Sequence, residues 1–372
     1  MLNSEISVRL PARQAYSYPI YIGQNILNDY IKWLTPIATS KKIVIITDEV
    51  VSKLYAKNFA ALLENNGYDV LLLNFAPGEE SKSYSKLEYL LDEMLRHKCD
   101  RHSLCVAFGG GVVGDITGFA SAVFMRGIRY IQIPTTALSM IDSSVGGKTA
   151  INSAYGKNLI GAFYQPSAVV MDVGLLESLP QDQLINGLIE ALKIFLTSDA
   201  EYFNYILANL DAILNKDYSK LTKVIKRAVS LKAQVVEQDE KEENLRMILN
   251  FGHTAGHAIE KLSNFKIAHG YAVALGILVE SKIAFLLGLL EHKQYILIEN
   301  LLAKLDITPA QLESFNPTEI ISAMRGDKKN KSGDIYMILL TKIGEVGQLN
   351  NGKVATVVSS DIITEALATF GL

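Results

Sequence analysis

Asn250-Phe251-Gly252-His253-Thr254-Ala255-Gly256-His257 brings two imidazoles within one turn of chain. On a helix, His253 and His257 stand at i and i+4, on one face, with Cβ atoms roughly 6 Å apart. That spacing suits two ligands of one divalent ion. His269 follows in Ala268-His269-Gly270, so three of the chain's 6 histidines fall in a short stretch. The pair alone equally fits a helix that caps or lines a core and binds nothing. An acid adds weight to the metal reading. Glu190 and Lys193 lie at i and i+3 within the otherwise apolar Gly187-Leu188-Ile189-Glu190-Ala191-Leu192-Lys193. Charges in such a run need partners, so they form either an internal salt bridge or a carboxylate ligand beside a substrate-binding lysine. A zinc-peptidase signature is excluded, because Thr254 and Ala255 stand where its general-base glutamate would be. Lys232, Glu242, Arg246 and Asn250 form a further polar set ahead of the histidines, one that also passes for a solvated helix end.

A second group of residues suits anions. Gly109-Gly110-Gly111-Val112-Val113-Gly114-Asp115 matches Gly-x-Gly-x-x-Gly between an apolar run, Ser103–Phe108, and a helical pattern. Glycines there let backbone N–H groups approach a pyrophosphate at a helix N-terminus, although a tight strand-to-helix turn has the same pattern. Asp48 ends an earlier strand, where a carboxylate can accept from a ribose, and Glu79 and Lys82 follow the next one. Gly147-Lys148-Thr149 imitates the end of a P-loop, but the required first glycine falls on Asp142, which excludes that ATPase motif. Lys148 in its glycine-rich segment, and Lys157 and Asn158 in a second glycine turn at 156–161, remain suited to holding an anion.

These residues need a scaffold. Apolar strands at 18–22, 42–48, 70–73 and 103–108, and one within 126–136 that leaves into a Thr-Thr turn, alternate with helical patterns at about 50–65 and 83–97, and a further strand reads at 5–10. Alternation of this kind predicts a parallel sheet with helices on its faces. Past Leu179-Pro180 the pattern turns helical: 181–197, 199–214, 218–237, 244–261, 270–288, 293–304 and 317–326. A β-hairpin at 335–349 interrupts, and Ser360-Asp361 can cap a last helix at about 361–369. The expectation is an α/β nucleotide-binding domain over residues 1–178 and a mainly helical metal- and substrate-binding domain over 179–372.

The 372 residues, 49% hydrophobic with net charge −3, suffice for two cores and give no reason to expect nucleic acid or a membrane surface. Cys99 and Cys105 form no Cys-x-x-Cys pair and read as reduced and structural, as in the cytoplasm. The N-terminus lacks a signal-peptide pattern. Ala272 to Leu290 is strongly apolar, yet Glu280, Ser281 and Lys282 in its middle mark a buried central helix rather than a membrane span.

Five stretches in fixed order carry a resemblance. GGGVVGD at 109–115, RGIRYIQIPTT at 126–136, DSSVGGKTAIN at 142–152, GKNLIGAFYQP at 156–166 and NFGHTAGHAIE at 250–260 make the chain similar to the 3-dehydroquinate synthases, sugar phosphate cyclases of the shikimate route to aromatic amino acids. The resemblance spans nearly all of the chain. It implies NAD and zinc (or cobalt) in a cleft between the two domains. Glu190, His253 and His269 match the metal ligands, and His257 a substrate-contacting, proton-transferring histidine. The histidine pair therefore splits. Asp48, Glu79, Lys82, Gly110, Gly111, Asp115, Thr135 and Thr136 match NAD contacts. Lys148, Asn158, Asn250 and a lysine of Asp327-Lys328-Lys329, taken as Lys329, match the phosphate site. Arg126 matches a phosphate contact reaching over from a second subunit, which implies a homodimer. Lys232 and Arg246 match partners of a substrate carboxylate. Asp142, Lys157, Lys193 and Glu242 match polar residues around the sugar hydroxyls, and Asp142, Lys193 and Glu242 join His257 in the catalytic set.

The chemistry so implied converts 3-deoxy-D-arabino-heptulosonate 7-phosphate to 3-dehydroquinate and phosphate. Oxidation of the C5 hydroxyl acidifies the neighbouring proton, phosphate leaves, the hydride returns, and the ring opens and recloses by an aldol step. The enzyme is thus a lyase with a recycled redox cofactor. Two positions depart from the family pattern. Tyr271 stands where a glutamate is usual, at a place expected to orient a metal-bound histidine, and Ile194-Phe195 replaces Tyr-Gly, with a reshaped pocket wall expected. A cyclase acting on a neutral sugar phosphate would leave Lys232 and Arg246 without an anion. A metal-dependent NAD polyol dehydrogenase would not need the phosphate-binding set, and a non-enzymatic binding protein would need none of the cleft lysines.

Overall fold

Lys42–Asp48 is apolar at every position from Ile43 to Ile46, and the computed structural model places it inside a six-stranded sheet, buried on both faces. The structure describes residues 15–326, 334–347 and 353–372. The sheet strands are β1 (Ile20–Gly23), β2 (Lys42–Asp48), β3 (Asp69–Phe75), β4 (Leu104–Gly109), β5 (Tyr130–Pro134) and, after a hairpin of β6 (Lys148–Ser153) and β7 (Gly156–Phe163), β8 (Ala168–Asp172). Their spatial order is β1-β8-β5-β4-β2-β3, and every pair is parallel. Alternate residues of one strand feed opposite faces. Ile43 and Ile45 join Trp33, Phe59 and Leu63, while Val44 and Ile46 join Leu87, Leu90, Met94, Val113 and Ile116.

The helices on these faces include α1 (Lys57–Asn65), α2 (Tyr84–Arg96) and α3 (Gly111–Val123). From β2 the chain steps out to β3, then crosses back to β4 and on to β5. The carboxyl ends of β2 and β4 therefore flank a switch point, where open parallel sheets lodge ligands. Residues 156–161, expected as a glycine turn, are instead in β7, antiparallel to β6. A Cβ on Gly161 would meet the Thr149 carbonyl at 1.9 Å, so the glycine serves close strand approach.

The second half is built from α4 (Gln181–Ser198), α5 (Ala200–Leu214), α6 (Tyr218–Gln238), α7 (His253–Leu262), α8 (His269–Leu286), α9 (His292–Ala303), α10 (Pro317–Arg325) and α11 (Ser360–Ala368). Asp199 and Asp217 cap α5 and α6 through the amides of Tyr202 and Lys220. The expected single helix at 244–261 is broken. A 3-10 turn, Leu245–Asn250, precedes Gly252, whose φ of 76° ends one element and starts α7. The expected hairpin at 335–349 is also different: β9 (Ile335–Ile338) pairs with β12 (Ala355–Val358), and only β10 (Leu340–Lys342) and β11 (Glu345–Val346) pair with each other. Ser359, not Ser360 or Asp361, caps α11. The expected strand at 5–10 lies outside the described residues.

α8 is long and apolar enough to cross a membrane by length and composition, but 72% of that stretch is buried inside the molecule. It belongs to the larger core, which runs without a break from one sheet face into α4, α6, α7 and α8. Both cysteines are free and buried, and burial pushes the Cys105 thiol up to about 12.

Candidate active site

Glu190 on α4 is fully buried, and its two oxygens have different fates. Oε2 takes the Lys193 ammonium one turn on. Oε1 has no hydrogen-bond partner, although buried acceptors almost always find one. Two imidazole nitrogens face it: His253 Nε2 at 3.9 Å and His269 Nε2 at 3.6 Å. Each ring is held from behind. His253 Nδ1 lies 3.2 Å from the Phe251 carbonyl, and His269 Nδ1 lies 3.2 Å from Glu260 Oε2. With Nδ1 donating to oxygen, Nε2 keeps its lone pair for a metal. Ligands about 2 Å from a tetrahedral zinc stand about 3.3 Å apart. One ligand atom from each of the three residues lies within 4.8 Å of the others, so the set fits such an ion after slight contraction.

His257 is not in this set. α7 begins at His253, so His257 sits one turn further along, with its ring 5.1 Å from that of His253 and 5.9 Å from that of His269. One of its ring nitrogens instead groups with Glu260 and His269, with ligand atoms within 4.8 Å of one another, so the i, i+4 pair does not share one three-residue set. α7 and α8 can bring their histidines together because they touch through glycines: a Cβ on Gly276 would fall 1.9 Å from the Gly252 carbonyl. The start of α8 is pinned to α4, where the Gly270 amide donates to Asn186 Oδ1 at 2.6 Å.

A cleft of about 920 Å³ opens in front of these groups. Asp115, Asp142, Lys148, Asn158, Lys193, Lys232, Glu242, Arg246, Asn250 and the three histidines line it. Lys232 on α6 binds both the carboxylate and the carbonyl of Asp142, and Lys148 on β6 binds Glu242. Glu242 also accepts from Asn250 Nδ2 at 2.6 Å. Arg246 is buried, with its guanidinium donating to the Gly146 carbonyl at 3.2 and 3.3 Å and to the Glu240 carbonyl. Burial would raise the Asp142 carboxyl, but the Lys232 and Lys193 ammoniums outweigh it and hold the group below the usual range. Glu242 is likewise held low against burial, by Lys148, Asn250 and Arg246. Glu260 is lowered to about 2, where the His269 hydrogen bond and Lys157 overcome its burial.

The sheet edge supplies the other wall. Gly110, in extended backbone, caps α3, and Gly111 is its first residue. Side chains there would crowd Thr136 and Ser143, with a Cβ on Gly111 3.2 Å from Ser143 Oγ. The buried hydroxyls of Thr135 and Ser143 have no hydrogen-bond partner, so this edge offers donors to a ligand. Thr136 is engaged with Ser139. Asp48 Oδ1 accepts from the amides of Val50 and Val51 at 2.8 and 2.9 Å, and Glu79 Oε1 accepts from Asn152 at 2.7 Å. Lys82 is buried and bridges Asp115 and Asn158, thereby linking residues expected at the cofactor and at the phosphate.

Other expected residues lie elsewhere. Arg126 is exposed and does not line the cleft of its own chain. Lys157 binds Glu260 Oε1 at 3.1 Å and lies 3.9 Å over the Phe265 ring. Lys329 lies outside the described residues. Tyr271 packs against the core with Asp182 and Asp306 as its charged neighbours, so the carboxylate that orients His269 is Glu260. Ile194 and Phe195 are fully buried, away from the cleft wall. The sequence alone assigns nothing to Glu260. It stands inside the NFGHTAGHAIE stretch, but its spacing from His269 names no partner.

Two family models together span most of the chain: 3-dehydroquinate synthase N-terminal over residues 72–186 and 3-dehydroquinate synthase C-terminal over 187–330. The chain belongs to the 3-dehydroquinate synthase family. The 3-dehydroquinate synthase of Desulforamulus reducens is 40% identical over 92% of this chain and 96% of its own. Among solved structures, 2-epi-5-epi-valiolone synthase from Streptomyces hygroscopicus, with NAD+ and Zn2+ bound, superposes with TM-score 0.87 at 27% identity, covering 98% of this chain and 99% of its own. A 2-deoxy-scyllo-inosose synthase complexed with carbaglucose-6-phosphate, NAD+ and Co2+ gives TM-score 0.85 at 28% identity, covering 94% of this chain and 95% of its own. The fold is thus shared with cyclases that bind NAD and a metal, while the higher identity is to the 3-dehydroquinate synthases.

Proposed function

We propose that the cleft performs the 3-dehydroquinate synthase reaction, turning 3-deoxy-D-arabino-heptulosonate 7-phosphate into 3-dehydroquinate and phosphate as a step of aromatic amino acid biosynthesis. The observation that carries the site assignment is the unpartnered Glu190 Oε1 facing two imidazole Nε2 atoms on the floor of a cleft rich in lysine and arginine. Glu190, His253 and His269 would hold the divalent ion, zinc or cobalt, which when bound polarises an alcohol or ketone oxygen. The Gly110–Gly111 turn, Thr135, Thr136, Asp48, Glu79, Lys82 and Asp115 would hold NAD, which supplies reversible hydride acceptance.

The chain's own side chains do the remaining work. Lys148, Asn158 and Asn250 receive the phosphate, with Lys148 leaving Glu242 as the anion enters. Arg246 and Lys232 receive the carboxylate; the fixed Gly146 and Glu240 carbonyls keep the guanidinium aimed. Asp142, Lys193 and Glu242 accept or donate at the sugar hydroxyls, and His257 moves a proton beside the metal. Lys157 is held by Glu260 in the free chain and meets substrate only by leaving it. Lys329 completes the phosphate site.

The exposed Arg126 sits on a left-handed turn, with φ of 48° at Met125 and 65° at Arg126. Its place outside its own cleft supports a homodimer in which it serves a second copy. Two free cysteines support the cytoplasm. A division near residue 178, with the nucleotide side before it and the metal side after it, accounts for the change from alternating strands to helices.

The test is phosphate release from the heptulosonate with catalytic NAD and added zinc, beside sedoheptulose 7-phosphate. Release from the first without lasting NADH is expected. Release from the second alone would keep the elimination chemistry and overturn the substrate; lasting NADH from either would make the protein a dehydrogenase.

A further inference from the structure

Gly252 is the N-cap of α7 and has no side chain with which to cap it. No side chain fits: a Cβ there would meet Ile277 Cγ1 at 2.6 Å and the Val273 carbonyl at 2.9 Å. The first amides of a helix nevertheless need acceptors. They find one 28 residues on. Glu280, fully buried on α8, accepts from Gly252 N at 2.7 Å through Oε2, and from Thr254 N at 3.0 Å and Ala255 N at 3.2 Å through Oε1. A carboxylate suits a helix N-terminus, because it meets both the open amides and the positive end of the dipole.

The same helix α8 starts with His269. One rigid element therefore carries a histidine of the metal set at its first turn and, three turns later, the clamp on the helix that starts with His253. The amides Glu280 holds flank His253 on both sides. The carbonyl that orients His253 Nδ1, that of Phe251, directly precedes the first clamped amide.

We propose that Glu280 is a positioning residue for the metal centre: it fixes the start of α7 to α8 and so sets His253 against His269 and Glu190. This rests on the metal reading given above. Glu280 does not line the cleft and acts through the backbone of residues 252–255.

The experiment compares the wild type with Glu280→Gln and with Val279→Ala, a buried change on the same helix that leaves the clamp alone. Gln keeps one acceptor oxygen but turns an NH2 group toward the Gly252 amide. Zinc affinity is read by competition with a chelating dye, the cobalt-loaded protein by its visible absorption, and stability by thermal melting. Glu280→Gln is expected to bind zinc about tenfold more weakly, as changes behind metal ligands typically do, and to shift the cobalt bands. Val279→Ala is expected to lower the melting point and leave both metal readouts unchanged. Equal metal behaviour of Glu280→Gln and the wild type, or equal weakening in both variants, would overturn the positioning role. A wild type that binds no zinc would instead retire the metal reading itself. Should Glu280→Gln not yield folded protein, Glu280→Asp takes its place, because it keeps the charge one methylene short of the amides. Weaker zinc binding and shifted cobalt bands are expected of it too, and wild-type metal behaviour would again overturn the role.

Discussion

The two walls of the cleft are made differently. On the sheet side, the glycine turn is positioned by neighbouring backbone: β4 ends, Gly110 turns, α3 begins, and Thr135 lies beside Gly109 at the end of the next strand, its amide donating to the Gly109 carbonyl at 3.0 Å. On the helical side, the functional groups are held by side-chain pairs, several of them joining the two halves of the chain. Lys232 reaches Asp142, Lys148 reaches Glu242, Lys157 reaches Glu260, and Glu280 reaches the start of α7. On the proposed function, paired side chains would leave a partner before meeting substrate, so the helical wall would trade internal ion pairs for those with a ligand.

If that contrast holds, damage to the helical wall costs the most. Glu190→Gln should lower phosphate release by about a thousandfold or more, since a Lewis acid contributes several kcal/mol to such a step. Steady-state kinetics with zinc in excess checks this, and near-normal turnover would break the contrast. Arg246→Ala should lower kcat/KM on the heptulosonate by about 10- to 100-fold, the size of a lost charged hydrogen bond. Unchanged kinetics would remove the carboxylate assignment. Glu260→Gln keeps the shape but loses charge behind His269, and zinc affinity, read by dye competition, should fall by about 10-fold.

The smallest expected effect is on stability against pH. Glu242 is held below its ordinary value of 4.5, so the folded state gains stability from it above that value and loses it as pH falls through the depressed one. Its partner Lys148 is half-exposed, and solvent screens the pair. Glu242→Gln should therefore melt slightly lower than the wild type at neutral pH, with the difference closing below pH 4.5. A gap that widens in acid would reverse the assigned direction.

The same contrast explains what is legible in the sequence. The strand from Lys42 to Asp48 and the turn at Gly109–Gly111 announce themselves because their signals are local: apolar runs, then glycine. Asp199 and Asp217 likewise cap their helices by accepting from amides three residues on. Apolar periodicity that continues across Gly252 suggests one helix over 244–261, and only the touching α8 shows why the chain must turn there. Glu280 stands out as a charge in an apolar run, yet no spacing rule connects it to amides 28, 26 and 25 residues earlier. The family resemblance points to the position of Tyr271 as the one behind His269, whereas Glu260 fills that place through the packing of two helices.

The most direct measurement is elemental analysis of zinc in the wild type and in His269→Ala after loading and desalting. One zinc per chain in the wild type and none in the variant is the expected result, because only Glu190 and His253 of the set would remain. Full zinc in the variant would contradict it, by showing that the ion sits on other residues.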